Sequence, residues 1–311
     1  VNGDDGTWSV RAEGKEIRVE MVADRISYHR TEIASAYISP DGRFELSFEL
    51  GQISNLELVV DHHRASLLTV PGDTYDLRIT AFSEPAYRKE LNPYLQRRFL
   101  SYVLNHPGHH PLLGTVATLN QRYDEYISRN FMQIKRKGRF AGIDTLDAYL
   151  FKGDLLRNAY TENMVRYRIA VLEELAGSAG RDSLFRKYIA GQPILYEHPD
   201  YMEFFSMLFE RYLTQGNRSI PVGAISDCLT GKENLTCLTN LLGRDSLLVA
   251  ENIRELVFIL NLRDLYHHPD LDPAAVLAVA GKLQSATRFP EHRRILENLR
   301  TDWTRLQQGA A

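Results

Sequence analysis

The apolar residues of this chain change their repeat once, and that change constrains the fold more than any other feature. Up to about residue 82 they alternate; from about Ser83 they recur every three to four positions. Alternation puts one face of a strand on a core, and a 3.6-residue period puts one stripe of a helix there. A chain that switches from the first to the second is predicted to build a β region followed by a helical one. The β-type segments are Thr7–Ala12, Glu16–Val22, Thr31–Ile38, Arg43–Glu49, Asn55–Val60 and Tyr75–Thr80. In them Phe44, Leu46 and Phe48 oppose Arg43, Glu45 and Ser47, and Leu56, Leu58 and Val60 repeat the pattern. Their connections carry turn chemistry. Pro40-Asp41-Gly42 offers a glycine for positive φ, and Pro71-Gly72 reads as a type II turn. The expectation is an α+β chain of two domains: a small antiparallel β-sandwich over residues 1–82, then an irregular all-α domain over 83–311.

The helical stripes run through Leu91, Leu95, Phe99 and Tyr102; Leu112, Val116, Leu119, Tyr123 and Ile127; and Val165, Ile169 and Leu172. They continue through Phe204, Phe205, Leu208, Phe209 and Tyr212; Ile253, Leu256, Val257 and Leu260; Val276, Leu277, Ala280 and Leu283; and Ile295, Leu299, Trp303 and Leu306. Asp272-Pro273 and Pro290-Glu291 are start signals. About nine or ten helices are expected, with no fixed repeat among them and helical-hairpin stacking as an alternative.

Composition narrows the function classes. The 311 residues carry 37 Lys+Arg against 40 Asp+Glu, a net charge of −3. That balance argues against a general nucleic-acid binder, which needs a cationic field. The longest aliphatic/aromatic run, Leu256–Leu260, is far short of a membrane span. The first residue is Val rather than Met, so an export signal, if there was one, is expected to have been removed. Dinucleotide, P-loop, nucleophile-elbow, zincin, CxxC and EF-hand motifs are all missing from the sequence.

No catalytic or cofactor-binding residue emerges, and no cofactor is expected. His267-His268 with Asp270 and Asp272 is the best metal-ligand candidate, weighed against loop and capping roles. The doublets His62-His63 and His109-His110 read as loop histidines. Cys228 and Cys237 read either as buried thiols or as a disulfide closing a short loop, worth about 2–3 kcal/mol in an oxidising compartment; a redox-active pair would more often be CxxC. The basic cluster Lys135-Arg136-Lys137-Gly138-Arg139 suits a helix C-terminus, and the many aromatics lie at core spacing. Asn217-Arg218-Ser219 and Asn234-Leu235-Thr236 match a glycosylation sequon.

The order of parts resembles a known layout. The hairpin Ser39-Pro40-Asp41-Gly42-Arg43-Phe44-Glu45-Leu46 and the stretch Leu67-Leu68-Thr69-Val70-Pro71-Gly72-Asp73-Thr74-Tyr75-Asp76-Leu77 are similar to the N-terminal β-domain of thioredoxin-like thiol–disulfide oxidoreductases of the bacterial envelope. In that family a helical region follows and leads into the thioredoxin domain. Here Glu255–Leu262, Leu265-Tyr266 and the helix to Gly309-Ala310-Ala311 resemble that lead-in, and the CxxC is lacking, so no redox-active residue carries over. The resemblance implies a non-catalytic accessory region of an exported oxidoreductase, periplasmic or lipid-anchored in the cell envelope. Its partner would be a downstream thioredoxin-like domain or another envelope protein, with no nucleic acid and no transmembrane segment. A free-standing envelope binding protein for a peptide or glycan and an unrecognised metal-dependent enzyme are the alternatives.

Overall fold

The computed structural model describes residues 12–82, 98–136, 142–216, 220–231 and 234–308. The chain is α+β: among the described residues a six-stranded mixed sheet precedes ten α-helices. By contacts it divides into two units. One holds residues 1–23 and 30–118; the other holds 24–29 and 119–311.

In the first unit the strands are β1 (Glu16–Val22), β2 (Arg30–Tyr37), β3 (Ser54–Val60), β4 (His63–Thr69), β5 (Leu77–Phe82) and β6 (Arg98–Leu104). Their order in the sheet is β2-β1-β3-β4-β6-β5, antiparallel throughout except for the short parallel pairing of β4 with β6. Alternation does what the sequence predicts on β1 and β3. Ile17, Val19, Leu56, Leu58 and Val60 enter one core with Leu67 and Leu100. On β1 and β3 Glu20 stands directly opposite Glu57. Like charges so placed destabilise a sheet, and Arg64 Nη1 bridges the pair at 2.5 and 2.6 Å.

Both turn expectations hold. Gly42 and Gly72 take φ of 79° and 83°. Asp73 N–H donates to the Val70 carbonyl across Pro71-Gly72, with the positive φ at the second central position as a type II turn requires.

Two expectations are corrected. Arg43–Glu49 is not a ladder strand, although its side chains alternate as predicted: Phe44, Leu46, Phe48 and Leu50 pack against the sheet core while the residues between them are exposed. Burial set the pattern; strand pairing did not follow it. Phe99 and Tyr102, read as part of a helical stripe, lie in β6, past residue 82. Phe99 is exposed, Leu100 is buried, and the Tyr102 hydroxyl donates to the Ser66 carbonyl of β4. A spacing of three shares a face on a helix but falls on opposite faces of a strand, and here Phe99 is exposed while Tyr102 is half-buried. The described strands form one mixed sheet. Residues 7–11 of the first expected strand and Leu91 and Leu95 lie outside the described residues.

In the second unit the helices are α1 (Pro111–Lys135, which begins in the first unit), α2 (Leu146–Leu150), α3 (Ala159–Leu175), α4 (Arg181–Tyr188) and α5 (Pro199–Phe209). They continue with α6 (Val222–Thr230), α7 (Asn234–Leu242), α8 (Glu251–Tyr266), α9 (Pro273–Ala286) and α10 (Pro290–Gln308). Caps fix several starts. Asn158 and Thr161 exchange bonds in a capping box before α3, and the Asp272 carboxylate accepts from Ala274 N–H before α9. Helix α8 buries apolar residues around much of its axis: Ile253, Leu256, Val257, Phe258, Ile259, Leu262 and Leu265 are all buried, while Arg263 near its end is exposed. Such a helix belongs at the centre of its core.

Two polar groups close this core. Asn261, wholly buried on α8, donates to the Phe209 and Val257 carbonyls at 2.8 Å and accepts from Leu213 N–H at 3.1 Å. It thereby satisfies backbone groups released where α5 ends and the π-helical turn Tyr212–Gly216 begins. Asp24, also buried, accepts from Ile26 N–H, Ser27 N–H, the Ser27 hydroxyl and Asn298 Nδ2 of α10.

Cys228 of α6 and Cys237 of α7 are joined by a disulfide, with Cα atoms 5.3 Å apart. Closing so short a loop stabilises by about 2–3 kcal/mol. Reduction with a small dithiol is therefore expected to lower the unfolding free energy by about that much, read by urea titration with and without reductant. The Cys228→Ser/Cys237→Ser variant should match the reduced protein.

Candidate functional site

Helices α7, α8 and α9 enclose a concavity of about 270 Å³. Its apolar wall includes Leu235, Leu238 and Leu242 of α7, Phe258 of α8 and Leu283 of α9; its polar lining includes Thr236, Thr239, Asn240, Glu251, Arg254 and Glu255. Glu255 is the residue that chemistry singles out. It stands on α8 between Arg254 and the apolar run Leu256–Leu260, and its side chain is only 14% exposed.

A chain of hydrogen bonds runs behind it. Glu255 Oε2 accepts from the Thr287 hydroxyl at 2.6 Å and lies 2.9 Å from His292 Nδ1. His292 Nε2 lies 2.8 Å from the Tyr196 hydroxyl. A carboxylate only accepts, so Nδ1 carries the proton toward Glu255. The next bond of the chain joins Nε2 to the Tyr196 hydroxyl. His292 is completely buried. The backbone supplies the placements. Thr287 ends α9 and its hydroxyl accepts from Phe289 N–H, turning the chain into α10, whose first turn carries His292.

Burial pushes the Glu255 carboxyl upward, but the hydrogen bonds from His292 and Thr287 and the nearby Arg254 charge outweigh it and hold it below its ordinary value of 4.5. Burial, with the negative charges of Glu291 and Glu255, pushes the Tyr196 hydroxyl far above the usual phenol range. Glu255 is therefore an anion, and Tyr196 a protonated phenol, at any physiological pH. The arrangement is a weak base held firmly in place. It suits recognition of a hydrogen-bond donor better than proton abstraction.

A second, smaller concavity of about 160 Å³ is lined by Asn120, Tyr123, Asp124, Arg168, Asp200 and Glu203. Its central cation is already matched: Arg168 Nε lies 2.7 Å from Asp200 Oδ1, and the guanidinium sits 5.0 Å from the Tyr123 ring centre. Behind it His198 is nearly buried, and desolvation lowers its pKa from the ordinary value.

The residues singled out from sequence fall elsewhere. His267, His268, Asp270 and Asp272 lie between α8 and α9. His267 rests edge-on against Tyr266, Asp270 N–H donates to His268 Nδ1 at 3.3 Å, and Asp272 is the α9 cap. Among the described residues no three His, Cys, Asp or Glu side chains gather as a metal site. His63 packs edge-on against Phe82, while His110 stacks on Tyr75 and reaches Asp73 Oδ2 at 3.3 Å, bracing the Pro71-Gly72 turn. Lys135 and Arg136 are exposed at the end of α1; residues 137–139 lie outside the described residues. Phe204, Phe205, Phe209 and Tyr212 are core, as their spacing predicts. Asn234 is buried, with its side-chain oxygen accepting from Lys282 Nζ; the other sequon, Asn217–Ser219, lies outside the described residues.

The sequence carries one signal for the site: a glutamate next to the apolar run Leu256–Leu260, on a helix that is mostly buried, needs partners. Which partners could not be read, because Thr287 and His292 lie 32 and 37 positions away and Tyr196 is 96 from His292.

No protein-family model, no curated protein and no solved structure matches this chain. Nothing in these comparisons identifies a thioredoxin-like parent. No helix among the described residues is long and apolar enough to cross a membrane.

Two outcomes test the hydrogen-bond chain. Tyr196→Phe leaves His292 Nε2 buried without its hydrogen-bond partner and should cost about 1–3 kcal/mol, and His292→Ala about 2–4 kcal/mol, both read by denaturant unfolding. The depressed Glu255 pKa contributes stability that is complete above pH 4.5 and is lost as pH falls through the lowered value. Glu255→Gln should therefore flatten the decline of unfolding free energy below pH 4.5, with little change in slope above it.

Proposed function

We propose that this chain is a non-catalytic binding region of the bacterial cell envelope, periplasmic or lipid-anchored. In this reading it serves a thioredoxin-like thiol–disulfide oxidoreductase by offering the α7–α8–α9 concavity to that module or to its envelope partner. The observation that carries the proposal is the disulfide. Cys228–Cys237 ties α7, one wall of the concavity, to α6. Such bonds persist in oxidising compartments, where an envelope protein works. Preorganising a recognition wall in this way lowers the ordering cost of binding.

The electrostatics support recognition over reaction. Glu255 is held as an anion and Tyr196 as a neutral phenol, so neither is poised near neutrality to exchange a proton. The two turn-bearing segments, Ser39–Leu46 and Leu67–Leu77, support the kinship with envelope oxidoreductases. In the first unit, the alternating burial of residues 43–50 over the sheet supports a second layer, completing a small sandwich.

The test is a titration of the oxidised, isotope-labelled chain with a CxxC-bearing thioredoxin-fold domain. Saturable amide shifts concentrated in α7, α8 and α9 are expected. Reduction of a model protein disulfide by the chain alone should stay at background. Turnover by the chain alone would overturn the non-catalytic reading. Absence of shifts with the domain, together with shifts from a peptide or glycan, would replace the accessory role by that of a free-standing binding protein.

A further inference from the structure

The partly buried carboxylates of the helical unit mostly have a cation. Asp200 has Arg168, Glu173 has Lys187, and Glu197 and Glu251 have Arg294 and Arg288. Glu255 differs. Among the described residues no lysine or arginine nitrogen comes within ion-pair distance of it; Thr287 and His292 both bind Oε2, and Oε1 accepts no hydrogen bond. Neighbouring Arg254 turns its Nη1 to the Leu248 and Val249 carbonyls. Burying an ionised carboxylate costs several kcal/mol unless donors and opposite charge offset it. Here donors are present, Arg254 favours the anion from beyond ion-pair distance, and Oε1 is left without a hydrogen bond on a residue that lines a concavity of mixed apolar and polar walls, Arg254 among them.

The shape of the vacancy in this hydrogen-bonding pattern selects the kind of cation. A guanidinium binds a carboxylate best through two parallel bonds, one to each oxygen. With Oε2 already taken twice, that fork has no match. An ammonium needs one oxygen only. Its alkyl stem, like that of lysine, packs well along apolar surface, and Leu238, Leu242, Phe258 and Leu283 supply that surface.

We propose that the concavity between α7, α8 and α9 is a binding site for a primary ammonium on an unbranched apolar stem, with the ammonium on Glu255 Oε1 and the stem against Leu238, Leu242, Phe258 and Leu283. A lysine side chain of a partner protein and a free alkylamine share this chemistry. The inference rests on the binding reading above and supplies the chemistry of what is bound.

The experiment titrates the oxidised, labelled chain with n-butylammonium, n-butylguanidinium, n-butanol and Nα-acetyl-lysine methylamide. Butylammonium is expected to shift amides of α7, α8 and α9 saturably with a Kd of about 1–10 mM. The guanidinium and the alcohol should bind about tenfold more weakly or not at all. Glu255→Gln, whose amide oxygen still accepts from Thr287 and His292, should weaken butylammonium about tenfold while still unfolding cooperatively at neutral pH. Tighter binding of the lysine derivative than of butylammonium assigns the site to a partner's lysine; the reverse order assigns it to a free amine. Equal binding of the three butyl compounds to the unaltered protein overturns the proposal, and that comparison needs no variant. So does failure of butylammonium to bind. If butylammonium fails while the thioredoxin-fold domain still shifts the same helices, the ligand chemistry is wrong and the binding role stands.

Discussion

The helical unit depends on burying much of α8. Within its buried stretch a polar group has nowhere to go except against another element. Asn261 is wholly buried and the Glu255 side chain nearly so, and each is answered by a different neighbour. Asn261 takes up the backbone where α5 gives way to the π-helical turn. Glu255 takes up the turn between α9 and α10 and, through His292, the segment carrying Tyr196. These contacts have direction, whereas packing of leucines against leucines has little. They therefore fix how the surrounding helices meet α8 as well as that they meet it.

The same burial creates the site. The hydrogen bonds that make an anion tolerable at Glu255 all arrive at one oxygen. The other oxygen belongs to a residue that lines the concavity. The hydrogen bonds that stabilise the anion thus leave one of its oxygens without a bond on a residue that lines the concavity. The disulfide between α6 and α7 adds a covalent constraint to the opposite wall. Rigid walls and a fixed charge are what a binding site needs, and they need no motif that a sequence scan would find.

Much of the architecture was legible because it is written locally. Period and turn chemistry act over a few residues. The strands β1 and β3, the stripes of α1, α3, α5, α8, α9 and α10, the Asp272 cap and the positive-φ turn glycines all follow from neighbours in sequence. Where the reading failed, a distant partner had decided. Residues 43–50 alternate as a strand does, yet pair with none, because alternation reports burial of one face and says nothing about a ladder. Phe99 and Tyr102 fit a helical spacing, yet β4 and β5 recruit them into β6. The candidate site was less legible still. The histidines that drew notice stand in adjacent pairs, whereas His292, which holds Glu255, is a lone histidine in the first turn of the last helix.

The sequence by itself determined the order of a β region and a helical region, the faces each element buries, and the places where the chain turns, since these arise from steric and hydration preferences within a turn or two of backbone. Only the tertiary structure decided which extended segments share a sheet, that Cys228 meets Cys237, and that Tyr196, His292, Thr287 and Glu255 converge. Those are choices among partners far apart in the chain, and they are settled by which combination leaves the fewest buried polar groups unanswered.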